Sequence, residues 1–218
     1  VAIYDTEEEQ LEQLKRWWET NQSAVLAGII GAIVIVSALN YWQHHQLETR
    51  NQASQTYQSL LESAAKDDLD TVEKLADKLN TDYSSSAYAQ YAALQLAKTK
   101  VQKGDLEAAK AILEKELHTS KDPIFINISR LRLIELQLAT KQYEQGLQLI
   151  ANTDPSTTAG FAASYDELQG DLYVALDRVD EARSAYQSAL RSGQATPLVQ
   201  FKLDDLTSAA LNPNATPK

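Results

Sequence analysis

Residues Ala24 to Trp42 contain no Asp, Glu, Lys, Arg or His. Wound as a helix, this stretch would reach about 28 Å, close to the thickness of a bilayer's hydrocarbon core. A helix packed inside a soluble domain rarely stays apolar on every face, yet "AVLAGIIGAIVIVSAL" does. Trp17 and Trp18 precede the run and Tyr41 and Trp42 follow it, as an aromatic belt at each membrane interface would. A cleaved signal peptide would carry a short basic leader and small residues at its cleavage site. Here the leader is the acidic "YDTEEEQLEQ", and bulky Asn40, Tyr41 and Trp42 end the run. The expectation is a transmembrane helix that stays attached.

The rest of the chain is unlike its anchor. Mean hydropathy is −0.37 and net charge −10, which argues against a nucleic-acid partner, since a phosphate backbone requires a basic footprint. There is no cysteine, hence no disulfide framework and no thiolate metal site. Ala, Leu, Gln, Glu and Lys predominate over Gly and Pro, a composition that favours helices. The chain opens at Val1 and holds no Met; loss of an initiator before a small residue is the simple reading.

Lys15 and Arg16 flank the N-terminal side of the span, against only His44, His45 and then Arg50 on the other. That bias places the N-terminus in the cytoplasm. Within the span, Ala24, Gly28 and Ala32 recur every four residues, as do Ala27 and Gly31. Such spacing lets a second helix approach closely, although small residues are common in any span. In the leader, Thr6 and Glu9 have the spacing of a capping box, and Leu11, Leu14, Trp17 and Trp18 form one stripe. The leader is expected to lie along the interface and turn inward at "TNQS".

Beyond the span the chain repeats. "KDDLDTVEKLADKL", "KGDLEAAKAILEKEL", "KQYEQGLQLI" and "LDRVDEARSAYQSAL" each read as a turn, a bulky residue, an acidic residue and a helix. Their bulky residues Leu69, Leu106, Tyr143 and Val179 are spaced by 37, 37 and 36. A period of this length built from helix pairs points to a helical solenoid. The last unit resembles the tetratricopeptide repeat, with Gly170, Tyr173, Ala182, Tyr186 and Ala189 at that family's spacing. The second unit matches through Ala97, Ala109 and Leu113, the third through Gly146 and Ile150. The first, about 51–80, departs most, with Leu60 and Val72 at small-residue positions. The period implies slightly longer turns than the family's. A helix over 197–211 would cap the stack. The fold class is therefore all-α: a leader (1–23), one span (24–42), about four tetratricopeptide-like helix pairs with a cap (43–211) and a flexible tail (212–218).

Nothing in the sequence assembles a catalytic or metal centre. His44 and His45 sit beside the aromatic belt, where interfacial anchoring explains them, and His118 is placed to meet a helix C-terminus. No spaced histidine pair, nucleophile elbow or Gly-rich phosphate loop is present. The expectation is a binding protein with no cofactor and no metal. Helical solenoids present a concave face built from the first helix of each pair. By the repeat register that face takes Tyr91, Leu94 and Lys98, then Ile128, Leu131 and Glu135, then Glu167 and Asp171.

The order of leader, span and repeats, with "EEEQLEQLKRWW" before the span and "YW" at its end, resembles the YfgM family, ancillary subunits of the SecYEG translocon in Gram-negative bacteria. The resemblance implies a single-pass inner-membrane protein whose repeats face the periplasm. It also implies association with the SecYEG translocon and with PpiD, a membrane-anchored periplasmic chaperone, and transfer of newly translocated client polypeptides to periplasmic chaperones. Two other roles stay open at this point: an envelope scaffold that never touches unfolded clients, and a stress-response regulator acting through the leader.

Overall fold

The computed structural model describes the backbone of residues 7–211 and the side chains of 9–206. Among the described residues all regular structure is helical. The order is α1 (Glu7–Ala65), α2 (Leu69–Asp82), α3 (Ala87–Gln102), α4 (Leu106–Thr119), α5 (Pro123–Ala139), α6 (Tyr143–Ala151), α7 (Ala162–Ala175), α8 (Val179–Arg191) and α9 (Pro197–Leu211). A single 3-10 turn, Pro155–Thr157, precedes α7. The Thr6 cap and the tail 212–218 lie outside the described residues. Contacts divide the chain into Val1–Gln52 and Ala53–Lys218.

In the first unit α1 carries an 18-residue window of mean hydropathy 2.2, none of it buried, and is long and apolar enough to cross a membrane. The expected turn at Thr20–Ser23 is absent, and the helix runs through it. The polar side chains that would start a new helix instead bond backward. Thr20 Oγ1 donates to the Arg16 carbonyl and Asn21 Nδ2 to that of Trp17, both at 2.9 Å. That back-bonding satisfies Thr20 and Asn21 inside the helix and leaves nothing to break it.

In the second unit one turn recurs four times. The backbone N–H groups of Asp68, Asp105, Gln142 and Arg178 donate to the carbonyls of Ser63, Lys100, Gln137 and Tyr173, at 3.0, 2.9, 2.8 and 2.8 Å. The residue before each is left-handed: Asp67, Gly104, Lys141 and Asp177, with φ of 58°, 81°, 62° and 59°. A six-to-one bond over a left-handed residue is the Schellman ending, which satisfies the last carbonyls of a helix and reverses the chain. Asp68 and Asp105 then cap the following helix, accepting from the N–H of Thr71 and Ala108. The next helices start at Leu69, Leu106, Tyr143 and Val179, so the sequence period is the period of this turn. The added length does not sit in the turn inside each pair. It lies in the 16 and 17 residues of α3 and α5 and in the connection 152–161.

That long connection is pinned from inside. Asn127, fully buried on α5, donates through Nδ2 to the carbonyls of Pro123 and Thr157 at 2.8 and 3.0 Å. It accepts the Tyr165 hydroxyl at 2.7 Å. Burial pushes the Tyr165 hydroxyl pKa up, the nearby Arg130 only partly opposing it, so it stays a donor in this network.

The core is a row of small clusters, as a stack of nearest-neighbour contacts requires. Leu60, Val72 and Leu79 fill the first, Ala97, Leu113 and Leu133 the next, Ile134, Leu168 and Leu172 the third, and Tyr186, Ala189 and Val199 the one beneath the cap. Leu60 and Val72, the departures of the first unit, are fully buried. Glycine appears where helices touch: a Cβ on Gly146 would lie 2.9 Å from Leu172 Cδ1, and one on Gly170 2.3 Å from Tyr186 Cε1.

Candidate protein-binding groove

The first helices of successive pairs leave two adjoining grooves between them. Between α3 and α5 lies a depression of about 630 Å³ lined by Tyr57, Tyr91, Leu94, Lys98, Val101, Ile128, Arg132 and Glu135. Between α5 and α7 lies another of about 550 Å³, lined by Ile128, Leu131, Glu135, Phe161, Glu167 and Asp171. The structure brings all eight residues expected at the concave face onto these two surfaces. Ile128 and Glu135 serve both.

The α3–α5 groove begins in an aromatic cluster. Tyr57 and Tyr91 have ring centroids 5.9 Å apart, Tyr88 lies 5.7 Å from Tyr57, and Phe125 meets Tyr91 edge-on at 4.9 Å. Such tilted and edge-to-face pairs are favoured by the ring quadrupole, so the cluster is held in place. Phe125 is buried while Tyr91 remains 44% exposed, leaving a preformed aromatic surface. Burial, and secondarily Tyr91, raise the Tyr57 hydroxyl pKa. At the far end Arg132 Nη1 donates to both carboxylate oxygens of Glu135 at 2.8 Å.

The α5–α7 groove is differently committed. Lys202, from α9, donates to Glu167 Oε1 at 2.8 Å and to Asp171 Oδ1 and Oδ2 at 2.8 and 2.7 Å. Asp171 Oδ1 also accepts the Tyr186 hydroxyl at 2.7 Å. Burial works against the Lys202 cation, but its bonds to Asp171 and Glu167 prevail and its pKa is raised. Burial raises the Tyr186 pKa, and the Asp171 carboxylate adds to it. Glu167 and Asp171 thus hold the capping helix, and their charges are met within the protein.

Ala24, Ala27, Gly28, Gly31 and Ala32 lie on α1. Nothing approaches within 4 Å of a Cβ built on Gly28 or Gly31.

The tetratricopeptide repeat-like domain family matches residues 15–208. A protein of Haemophilus influenzae named ancillary SecYEG translocon subunit is 31% identical over 208 residues, 94% of this chain and 100% of the relative. The chain belongs to this family. A protein of the same name from Escherichia coli is 28% identical over 211 residues, 95% of this chain and 100% of its own length. The one from Neisseria gonorrhoeae is 26% identical over 94% of this chain. Among solved structures, that of the MamA RS-1 ArsTM double mutant superposes with a TM-score of 0.51 at 15% identity. It covers 72% of this chain and 84% of that one, a likeness of fold alone.

Among the residues at the grooves that the family's register did not give are Tyr57, Arg132 and Lys202. Tyr57 could have been found by running the period backward, since Tyr57, Leu94 and Leu131 are spaced by 37 and 37. The irregular first unit hid it. Arg132 lies one residue beyond the register position Leu131. Lys202 comes from the cap, which has no repeat partner to read it against.

Proposed function

We propose that this chain is an ancillary subunit of the SecYEG translocon, anchored in the inner membrane by α1 with its repeats in the periplasm. Its grooves hold newly translocated polypeptide for transfer to periplasmic chaperones, PpiD among them. The observation that carries the reading is the open α3–α5 groove, whose exposed Tyr91 and half-buried Leu94 and Ile128 offer an apolar surface to an extended chain. The relatives' name supports the translocon as the site of action, and Lys15 and Arg16 support a cytoplasmic N-terminus. Tethering beside a channel exit raises the effective concentration of emerging chains, so a modest affinity suffices there. Unfolded clients lose ordering entropy on binding, so a modest affinity is also what this surface should deliver.

A photoreactive residue at Leu94, in intact membranes carrying an arrested secretory chain, tests this. Adducts with the arrested chain are expected. Adducts with folded membrane proteins only would refute it in favour of a scaffold. Protease added outside spheroplasts should digest the repeats and spare the leader; protection of residues 60–200 would reverse the orientation.

A further inference from the structure

The α3–α5 groove is graded from one end to the other. The Tyr57, Tyr91 and Phe125 rings stand at its start, Leu94 and Ile128 in its middle, and its charges at its finish. Of those charges, Arg132 and Glu135 neutralise each other. Lys98 is exposed and makes no hydrogen bond or ion pair among the described residues. The groove therefore ends in one uncompensated positive charge. This stands out because six acidic and two basic residues precede Gln43, leaving 24 acidic against 18 basic after it.

The spacing of the two ends sets a length. Tyr91 and Lys98 lie seven residues apart on α3, about 10.5 Å along the axis. An extended chain covers that distance in about three residues. A bound helix would need about seven, because it advances only 1.5 Å per residue.

We infer that the groove selects an extended polypeptide segment carrying an aromatic side chain and, three residues away, a carboxylate. The aromatic ring packs on the exposed face of Tyr91 and beside Tyr57. The carboxylate meets the Lys98 ammonium, and the residues between lie over Leu94 and Ile128. This deepens the client-binding reading and rests on it. Unfolded chains of many sequences would still bind, with segments of this pattern held longest.

The test uses the full chain in detergent micelles and fluorescently labelled Gly/Ser peptides, read by anisotropy. The parent peptide carries Phe and Asp three residues apart; its companions replace Asp by Lys, replace Phe by Ser, or move Asp next to Phe. Each change should weaken binding, the charge reversal by about two- to fivefold, as for an exposed ion pair, and less so at high salt. Lys98→Glu, an exposed substitution checked for unchanged helical content, should invert the order so that the Phe/Lys peptide binds more tightly than Phe/Asp. Equal binding of all peptides, or an order unaffected by Lys98→Glu, would overturn the pattern while leaving client binding intact. Tighter binding of a helical peptide with Phe and Asp seven apart would overturn the extended mode. If the full chain bound none of the peptides the pattern would fall; if the Leu94 adducts were also missing, the client-binding reading would fall with it.

Discussion

Gly170 sits where α7 and α8 approach most closely, and its replacement by alanine separates two effects of opposite sign. Helix propensity alone favours the change, by about 1 kcal/mol. Packing opposes it. The new Cβ would lie 2.3, 2.5 and 2.9 Å from Cε1, Cδ1 and Cζ of Tyr186, where ordinary contact needs 3.4–4 Å. The ring must move by about an ångström, and it has little freedom to do so. Tyr186 is 2% exposed, and its hydroxyl is fixed to Asp171, which Lys202 holds in turn. Overpacking of this kind costs about 1–3 kcal/mol, and a lost hydrogen bond to a carboxylate about 1.5–3 kcal/mol. After the propensity gain the net loss should be about 1.5–5 kcal/mol. In thermal unfolding of the full chain in micelles, followed by circular dichroism, that corresponds to a fall in Tm of about 3–20 °C. Gly28→Ala, with no atom within 4 Å, should leave the repeat transition unchanged. Combining Gly170→Ala with Tyr186→Phe should cost less than the two separately, because the hydroxyl anchor is lost only once. A Tm for Gly170→Ala equal to or above that of the parent would mean that propensity wins and that the close contact is wrongly described.

Lys141 pays a steric penalty in its left-handed turn (φ 62°), so Lys141→Gly should raise the urea midpoint by the equivalent of about 0.5–1 kcal/mol, and Gly104→Ala should lower it. Burial raises the pKa of Glu116, so between the ordinary carboxylate range and that raised value the native state binds more protons than the unfolded one. Stability should therefore rise as pH falls through that window; Glu116→Gln should stabilise the protein at neutral pH and flatten the dependence, both read from urea midpoints across mildly acidic to neutral pH. Gly28→Leu should reduce co-purification with translocon subunits without blocking membrane insertion, because it prevents close helix approach. Equal recovery of Gly28→Leu and Ile33→Leu would reduce the Ala24, Gly28 and Ala32 stripe to lipid-facing surface.

The helix pairs were legible because their turns repeat chemically: an acidic or polar residue, then a bulky one, at a constant interval. The groove register was legible for the same reason, since one period carries Tyr91 onto Ile128 and Leu94 onto Leu131. What escaped was whatever the period does not carry. "TNQS" has the composition of a helix start, and only the backward bonds of Thr20 and Asn21 show that those side chains serve the helix already under way. The left-handed conformation of Lys141 was equally hidden, because lysine gives no conformational signal of the kind Gly104 does. Lys202 belongs to a helix that occurs once, and its ion pairs cross 31 and 35 residues of chain.

Those ion pairs also bear on where along the face a client could be held. Lys98, Glu135 and Asp171 occupy equivalent positions on α3, α5 and α7, separated by 37 and 36 residues. In a stack where each pair touches only its neighbours, the fate of each charge depends on what stands beside it. Glu135 is met by Arg132 from its own helix. Asp171 is met by Lys202, because the fourth pair is followed by the cap. A carboxylate or ammonium already paired in this way gains little from a ligand, since binding would exchange one partner for another and add a desolvation cost. Among the described residues Lys98 has no such partner to give up, and the exposed ring of Tyr91 stands on the same helix. The register makes the three positions alike in sequence. Their neighbours leave one of them uncommitted, and under the proposed client-binding role that difference would favour the α3–α5 groove over the rest of the face.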